Sequence, residues 1–456
     1  MYQDTVKGPR PRFPRTLVAR SQEKENEDKR VEVVPFIGVE DLENGPRLVD
    51  RILCPGSAKG VVMWYAEPSE SAEEQVLCRD VRPQVLPFFT VLGSVCLTTA
   101  VSNGNCFDTV LPISITANNI ELKLSAPRNQ QELTDIWTRA TSLTSNVTAE
   151  IIGGPVTNKA TYKIWTQLCV PSKPDAAKTV EFAVHGVGFD HTYWNFGGPG
   201  SKYNYVEAAL KAGHAILIYD RLGTGQSDKP DGISKLQFPT ELEIASELVK
   251  YLRAKPRGNQ FNRVVGIGHS YGSVTLLSLV GKYGNVLDAA ILTGFTAGGG
   301  LGLTAFAAVG WTIAAQQNPK RFGSLPTSYM TTEGISNSQS FFFRYGNYET
   351  AVLQAAEATK ATATLGELFT GAANPALNYT NPVFMVTGDK DYPFCGGNCY
   401  QKINGTNLVD ASKVVFPAVP ESKFSTFIPA ETGHGNNLHL SAPEAYGKIQ
   451  DWIAQL

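Results

Sequence analysis

The chain has 456 residues, 42% of them hydrophobic and 18% charged, with a formal net charge of −2 at pH 7. This length and apolar content suffice for one large domain with additional segments. The small net charge gives no electrostatic basis for binding nucleic acid or an anionic membrane surface, so neither is expected as a partner.

The first 84 residues are rich in charge and proline, and the run RSQEKENEDKR, residues 20–30, lies at their centre. Segments of this composition bury too little apolar surface to offset the entropy lost when a chain becomes ordered. Residues 1–84 are therefore predicted to be a charged, disordered extension.

An uncharged apolar segment, VLPFFTVLGSVCLTTAV, follows at residues 85–101. A basic residue before it and small residues at its end, up to residue 102, match a signal peptide, although it begins 84 residues into the chain. Three interpretations stay open: the upstream part comes from a wrongly assigned start, the segment is a signal anchor, or it is an ordinary buried strand or helix. A membrane is expected as a partner only if residues 85–101 are an uncleaved anchor.

Seven cysteines are present, and four of them follow the apolar segment. Cys395 and Cys399 are close enough in sequence to pair, which leaves Cys106 to pair with Cys169. A metal site is not predicted, because the C-x-x-x-C pattern has no second ligand pair at suitable spacing. Two disulfides are typical of exported proteins, so we expect a secreted protein, or a membrane-anchored one with its catalytic domain outside the cytosol.

Three N-glycosylation sequons also follow the apolar segment, at Asn146, Asn378 and Asn404. Glycans on such sites are bulky and occupy the surface, so the three asparagines are expected to be exposed. Their position after the apolar segment agrees with export of that part of the chain.

Extended and helical patterns alternate from residue 103 onward. An extended segment at 109–124 precedes a helix at 129–141, and segments 147–154 and 160–170 are predicted to form a β-hairpin. Apolar strands that alternate with helices follow at 179–186, 214–220, 263–270, 288–294, 381–389 and 424–434. This pattern predicts an α/β fold with a mostly parallel central sheet flanked by helices, and with antiparallel strands at one edge.

One long segment, residues 295–378, interrupts this alternation and divides the main domain into parts at 103–294 and 379–456. It is too long for a loop and is predicted to be a small helical cap. The glycine run at 298–300 is predicted to be a flexible hinge, because it lacks the strand, helix and lysine that accompany a phosphate-binding loop.

The pattern G-H-S-Y-G, residues 268–272, places Ser270 in a glycine-rich turn between a predicted strand and a predicted helix. A serine hydroxyl is a poor nucleophile at neutral pH and needs a neighbouring base. His434 lies in the loop after the last predicted strand. Loops that follow parallel strands meet at one edge of the sheet, so Ser270 and His434 are predicted to be nucleophile and base.

The base needs an acid that fixes its tautomer and stabilises the imidazolium. Asp389 and Asp391 both follow the strand predicted at 381–389. Asp391 is the preferred acid because it lies further into the loop and has more reach, and Asp389 is the alternative. The order Ser270, Asp391, His434 is the one expected for a serine on a strand-to-helix turn.

Two backbone N–H groups are predicted to stabilise the oxyanion that forms during attack. One belongs to Tyr271, directly after the serine, and the other to Val187 in the turn H-G-V-G. Gly186 and Gly188 let the backbone of this turn come close to the substrate, and Gly188 is the alternative donor. His185 is predicted to support the turn rather than to act as a base.

The turn H-G-V-G, the segment D-R-L-G-T-G-Q-S at 220–227 and the motifs G-H-S-Y-G, G-D-K-D and G-H together resemble those of α/β-hydrolases. Within that superfamily, YKIWTQLCVP, HGVGFDHTYW and TGHGNNLH are similar to segments of secreted fungal members with a cap. The resemblance covers about residues 145–456. It implies a Ser–Asp–His triad, no cofactor, a structural role for Asp220 and Arg221, and a cap that shapes the pocket.

The sequence therefore predicts a serine hydrolase of the esterase or lipase type that acts through an acyl-enzyme. Four aromatic residues of the cap suggest a small apolar or aromatic ester as substrate, although they could equally form the core of the cap: Phe341, Phe342, Phe343 and Tyr345. The alternatives are a lyase or cofactor-free oxygenase on the same fold, or a ligand-binding protein that uses the same pocket.

Overall fold

A computed structural model describes residues 98–456, except Ser102, residues 174–177, Gly299 and Tyr345. The predictions for residues 1–84 and for most of the apolar segment therefore lie outside the described residues. Of that segment the structure describes Thr98–Val101, which form a strand. Part of the predicted glycine hinge and one of the four cap aromatics also lie outside.

The strands are, in chain order, β1 (Thr98–Val101), β2 (Gly104–Leu122), β3 (Ile152–Pro171), β4 (Thr179–Val184), β5 (Ala215–Tyr219), β6 (Arg263–His269), β7 (Ala289–Thr293), β8 (Trp311–Ile313), β9 (Tyr329–Thr332), β10 (Ala363–Thr364), β11 (Val383–Val386), β12 (Lys402–Ile403), β13 (Thr406–Asn407) and β14 (Phe424–Phe427). The helices are α1 (Gln130–Thr141), α2 (Val147–Ile151), α3 (Tyr205–Lys211), α4 (Phe238–Arg253), α5 (Tyr271–Tyr283), α6 (Ala314–Gln317), α7 (Pro319–Phe322), α8 (Ile335–Phe342), α9 (Thr350–Thr359), α10 (Leu365–Thr370), α11 (Tyr392–Cys395), α12 (Leu408–Ala411) and α13 (Ala442–Ile453).

The central sheet has the strand order β1-β2-β3-β5-β4-β6-β7-β11-β14. The pairs from β5 to β14 are parallel, and the pairs that join β1, β2, β3 and β5 are antiparallel. Strands β4, β5 and β7 are buried along their whole length because helices cover both faces of the sheet. The predicted fold class is confirmed, including the antiparallel strands at one edge.

Two hydrophobic cores lie on opposite faces of this sheet. Alternate residues of the central strands contribute to each core, as the two-residue period of a strand requires. Helices α3 and α13 cover one face, and α4 and α5 cover the other. The carboxyl ends of the parallel strands remain free to display loops at one edge.

The predicted hairpin between 147–154 and 160–170 is wrong. Residues 152–171 form the single long strand β3, which pairs with β2 over nearly its whole length, and Val147–Ile151 form the short helix α2. The first half of β3 is largely exposed and polar. Its sequence therefore resembles that of a turn between two strands. The ion pair between Glu150 and Arg139, at 3.0 Å, joins α2 to α1.

Residues 295–378 contain helices α6 to α10 and also a three-stranded antiparallel sheet in the order β10-β9-β8, which the sequence analysis did not predict. Helix α1, from before the parallel strands, packs against this segment. Its Trp137 stacks on Trp311 and Phe369 with ring centroids 6.0 and 5.5 Å apart. The side chain of Gln130 hydrogen-bonds the backbone of β8. We call residues 295–378 the insert.

Disulfides join Cys106 to Cys169 and Cys395 to Cys399, which are the two predicted pairs. They indicate that this part of the chain folds in an oxidising environment. The three sequon asparagines are all exposed: Asn146, Asn378 and Asn404. Among the described residues, no helix combines the length and apolar character needed to cross a membrane.

Candidate active site

Ser270 lies at the tight turn between β6 and α5. Its backbone has φ 54° and ψ −116°, a conformation that is costly for a residue with a side chain. Gly268 and Gly272 permit this turn, because a Cβ at Gly268 would lie 2.5 Å from the Gly272 oxygen and one at Gly272 would lie 2.0 Å from the Val184 oxygen. The turn therefore presents the Ser270 side chain at the carboxyl edge of the sheet, where it is partly exposed.

His434 lies in the loop after β14 and contacts both other members of the predicted triad. Its Nδ1 is 2.7 Å from Asp391 Oδ2, and its Nε2 is 2.8 Å from Ser270 Oγ. A carboxylate oxygen accepts hydrogen bonds, so Nδ1 carries the proton and Nε2 can accept from the serine hydroxyl. Both His434 and Asp391 are completely buried.

The two candidate acids have different contacts. Asp391 caps α11, because its Oδ1 accepts from the N–H of Phe394 at 2.9 Å while its Oδ2 faces His434. Asp389 Oδ1 accepts instead from the N–H of Thr432 at 2.9 Å, two residues before the histidine. The structure therefore brings Asp391 to the histidine ring and Asp389 to the backbone of the histidine loop.

The H-G-V-G turn passes directly beside the serine turn. A Cβ at Gly186 would lie 3.1 Å from Ser270 Cβ, and one at Gly188, where φ is +79°, would lie 3.4 Å from Phe342. Val187 lies between these glycines, and Tyr271 begins α5, where N–H groups have no acceptor within the helix. The two predicted oxyanion donors thus belong to neighbouring backbone segments.

His185 fixes the turn that carries Val187. Its Nδ1 donates to the Gly186 oxygen at 2.9 Å, and its Nε2 accepts from the N–H of Arg221 at 3.0 Å. Complete burial, followed by the nearby Arg221 charge, lowers the pKa of His185 to about 3. It is therefore neutral at ordinary pH and joins two backbone turns, as a supporting residue would.

Arg221 is buried, and its guanidinium donates hydrogen bonds to Glu241 of α4 and Glu367 of α10. Its guanidinium also lies 4.2 Å from the ring centroid of Tyr271. This network joins the D-R-L-G turn, two helices and Tyr271, the residue after Ser270. The structural role of Arg221 was expected from the family resemblance, whereas no sequence pattern indicated its two glutamate partners.

The remaining histidines have other partners. His191 contacts Asp220, with Nδ1 2.7 Å from Oδ1, and His214 contacts Glu181 at 3.1 Å. His269 stacks on the ring of Tyr193 with the centroids 4.3 Å apart, and burial lowers its pKa well below the usual range. His439 hydrogen-bonds Gly433 and Gly435, the residues on either side of His434. No sequence pattern predicted these contacts.

Asp190, His191 and Asp220 place one possible ligand atom each within 4.8 Å of one another. Their oxygens already accept hydrogen bonds. Asp220 accepts from His191 and from the N–H of Gln226, and Asp190 accepts from Thr192. We interpret this cluster as a hydrogen-bonded turn next to Trp165.

The insert contacts the loop that carries His434 and the turn that carries Val187. Phe342 accepts from the N–H of Gly435 at 2.8 Å, and the N–H of Ala361 donates to the Gly188 oxygen at 2.9 Å. The rings of Phe341 and Phe342 lie 5.6 and 6.0 Å from the His434 ring. The insert therefore supplies aromatic side chains around the histidine and backbone bonds to the loops that carry the base and Val187.

A model of the Alpha/beta hydrolase family matches residues 182–448, a range that includes Ser270, Asp391 and His434. The chain belongs to the alpha/beta hydrolase family. The sheet order agrees with this membership, and the family expected from the sequence motifs is confirmed.

Among curated proteins, this alpha/beta hydrolase is 32% identical to the proline iminopeptidase of Saccharolobus solfataricus over 100 residues, which are 21% of this chain and 30% of that protein. A thermophilic esterase from Thermogutta terrifontis is 14% identical, with a TM-score of 0.41 over 65% of this chain and 94% of the other. A monoacylglycerol lipase from Paleococcus ferrophilus is 12% identical, with a TM-score of 0.40 over 60% and 94% of the two chains. The family match assigns residues 182–448 to the alpha/beta hydrolase family, and the chain spans about a third of the curated relative that it matches.

Proposed function

We propose that this alpha/beta hydrolase is a secreted serine hydrolase that cleaves an apolar or aromatic ester through an acyl-enzyme on Ser270. The observation that supports this proposal is the position of His434, whose two ring nitrogens contact Ser270 Oγ and Asp391 Oδ2. The tautomer that Asp391 imposes is the one that can accept the serine proton.

In the first half of the reaction, Ser270 Oγ attacks the ester carbonyl carbon and His434 Nε2 takes the serine proton. The carbonyl oxygen becomes an oxyanion that accepts from the N–H groups of Tyr271 and Val187, each worth roughly 3 kcal/mol. His434 then gives its proton to the leaving alcohol, and the acyl group stays on Ser270. Asp391 remains ionised and stabilises the imidazolium.

In the second half, a water molecule gives a proton to His434 Nε2 and its oxygen attacks the acyl carbon. The same two N–H groups stabilise the second oxyanion. Ser270 Oγ leaves and recovers the proton from His434, which releases the carboxylic acid. In each half of the reaction His434 accepts one proton and returns it, so the ester and water are the only reactants consumed.

An ester is a better candidate substrate than an amino-terminal peptide bond, which the name of the curated relative suggests. A peptidase that acts at an amino terminus needs an acidic group for the substrate ammonium. In the insert, the buried Glu367 already accepts from Arg221, and the partly buried Glu357 pairs with Lys360 at 2.6 Å. The aromatic rings near His434 favour an uncharged substrate instead.

Labelling with a fluorophosphonate probe tests the proposal, because the probe reacts only with an activated serine. The wild-type protein should be labelled and Ser270→Ala should not, while its circular dichroism stays unchanged. Ser273→Ala is the matched control. Ser273 lies in the first turn of α5, three residues after Ser270, and donates to the Thr293 oxygen. It should be labelled like the wild type.

Failure to label the folded wild type would contradict the proposal and favour a lyase, an oxygenase or a binding protein. For a labelled protein, the substrate class follows from a panel of aryl and alkyl esters compared with aminoacyl arylamides. Faster turnover of the arylamides than of any ester would favour a peptidase.

Secretion would be tested by sequencing the amino terminus of the protein recovered from culture medium.

A further inference from the structure

The backbone on both sides of His434 is hydrogen-bonded to one side chain, that of His439. The N–H of Gly433 donates to His439 Nε2 at 3.1 Å, and His439 Nδ1 donates to the oxygen of Gly435 at 2.9 Å. The imidazole therefore spans the three-residue segment whose central residue is the proposed base. It is completely buried.

Both bonds require one protonation state of His439. A carbonyl oxygen only accepts, so Nδ1 carries the proton, and a backbone N–H only donates, so Nε2 is unprotonated. Burial is the main cause that lowers the pKa of His439 to about 4, against smaller opposing effects from its bond to the Gly435 oxygen and from Asp389 and Asp391. The ring is thus neutral under the conditions in which His434 acts as a base.

The histidine loop needs such a constraint because glycine precedes and follows His434. Glycine leaves the backbone more conformational freedom than any other residue. At Gly433 a side chain is excluded, because a Cβ there would lie 2.6 Å from the backbone nitrogen of Arg344 and 3.1 Å from His439 Nε2. The close packing that requires glycine also brings His439 within hydrogen-bonding distance.

The ring of His439 is itself fixed by the insert. Its centroid lies 5.7 Å from that of Phe343 and 6.1 Å from that of Tyr348. The N–H of the next residue, Leu440, donates to the Asn347 oxygen at 3.0 Å. The ring of His439 and the residue after it are therefore packed and hydrogen-bonded against the insert.

We propose that His439 is a positioning residue, whose neutral imidazole hydrogen-bonds the backbone before and after His434 and keeps the base against Ser270 and Asp391. The proposal rests on the proposed function, since it concerns the same triad. His439 does not touch the reacting atoms and acts through the conformation of the loop.

Three substitutions separate its contributions. His439→Phe keeps a planar ring but loses both hydrogen bonds. His439→Asn keeps a donor near the position of Nδ1, and His439→Gln keeps an acceptor near the position of Nε2. His214→Phe is the matched control, because His214 lies directly before β5 and hydrogen-bonds Glu181 and Gln450 instead of the loop of His434.

The measurements are the rate of fluorophosphonate labelling, kcat and KM for an aryl ester, and the pH profile of kcat/KM, each per folded protein. His439→Phe should lower the labelling rate and kcat by roughly 10²-fold with little change in KM, because the base is displaced from the nucleophile. The pH profile of kcat/KM should differ from that of the wild type, because His434 no longer keeps its contacts with Ser270 and Asp391. The Asn and Gln variants should fall between these limits, and His214→Phe should affect only the thermal midpoint.

The outcomes distinguish this proposal from the proposed function. An unlabelled wild type contradicts the proposed function. A labelled wild type together with a folded His439→Phe that reacts at the wild-type rate, with an unchanged pH profile, contradicts the role of His439. If His439→Phe does not fold, wild-type rates and pH profiles in both the Asn and Gln variants overturn it equally.

Discussion

Asp389 and Asp391 lie two residues apart in the loop after β11, and each carboxylate has a different partner. Asp391 Oδ1 accepts from the backbone of Phe394, so the amide oxygen of Asp391→Asn would occupy that place. The amide nitrogen would then donate to His434 and impose the opposite tautomer, with the proton on Nε2. We expect Asp391→Asn to lower the fluorophosphonate labelling rate by roughly 10³- to 10⁴-fold without unfolding the protein.

Asp389→Asn is the matched control for that prediction. An asparagine at this position keeps an oxygen that can accept from the N–H of Thr432, so the histidine loop retains its bond. Its labelling rate should stay within a few-fold of the wild type. A large loss in Asp389→Asn with a small one in Asp391→Asn would reverse the two roles.

Gly186 offers a second test at the level of one residue. A methyl group here would lie 3.1 Å from both Ser270 Cβ and His269 Cδ2, which is closer than side chains normally approach. The turn that carries Val187 must then move away from the nucleophile. Gly186→Ala is therefore expected to lower the labelling rate by about 10²-fold, since small displacements of catalytic groups have effects of this size.

Gly154→Ala gives the comparison for Gly186→Ala. Gly154 is exposed in β3, and a methyl group there would have no neighbour within 4 Å. Labelling of this variant at the wild-type rate, together with slow labelling of Gly186→Ala, would support the proximity of the two turns. Equal rates in all three proteins would contradict it.

The residues in motifs were easier to predict than those that support them. Ser270 and His434 belong to glycine-containing turns after strands, and the parallel topology alone brings such turns to one edge. His439 carries no comparable pattern, because a histidine five residues after another is compatible with many structures. Its contacts depend on the fold of the loop and on the approach of the insert, which local sequence does not specify.

At the level of elements, the buried network of Arg221, Glu241 and Glu367 joins α4 to α10 and therefore the main domain to the insert. Burial, followed by the nearby charge of Glu241, raises the pKa of Glu367 from an ordinary value near 4.5 to about 8. Glu367 is therefore protonated at neutral pH beside Arg221 and Glu241. This state avoids an excess negative charge in the interior.

This raised pKa makes stability depend on pH. Between about 4.5 and about 8 the unfolded chain has lost the Glu367 proton while the folded chain keeps it. The folded state binds more protons in this window. The contribution of Glu367 to the free energy of unfolding is therefore complete below the window and falls as pH rises through it. Urea unfolding across this range should show the decline in the wild type and a weaker one in Glu367→Gln.

Arg221→Met provides the contrast to Glu367→Gln. Removal of the arginine leaves two buried carboxyl groups without a cation and should cost about 3–5 kcal/mol of unfolding free energy. Glu367→Gln keeps an oxygen for Arg221 and should cost about 1 kcal/mol at neutral pH, chiefly through the lost capping box of α10. Equal losses in the two variants would show that Glu367 is ionised in the folded protein.

Elements with continuous apolar sequences were predicted with nearly correct bounds, as β4 and β5 illustrate. The errors concern elements whose character depends on distant partners. The exposed half of β3 is polar and becomes a strand because β2 pairs with it, and the strands of the insert have two to four residues each. Such short strands have no period that a sequence pattern could reveal.

At the level of the whole molecule, two disulfides constrain different parts of the fold. Cys106–Cys169 joins β2 to β3 and closes a loop with a sequence separation of 63. Cys395–Cys399 has a separation of 4 and lies in the segment that follows Asp391. In the same segment, the N–H of Gly397 donates to the backbone oxygen of Asp391 at 2.8 Å. The first restricts the unfolded chain strongly, whereas the second restricts mainly the position of the proposed acid.

Loop-closure entropy predicts a loss of about 4 kcal/mol of unfolding free energy when the longer loop is opened by the double substitution Cys106→Ala and Cys169→Ala. The corresponding double substitution of Cys395 and Cys399 should cost only about 2 kcal/mol but should slow labelling of Ser270 more, because the acid is less well oriented. Urea unfolding and labelling rates, measured on both double variants, separate these effects. If the less stable of the two double variants were also the slower to be labelled, loss of stability alone would explain both observations. That result would contradict separate roles for the two disulfides.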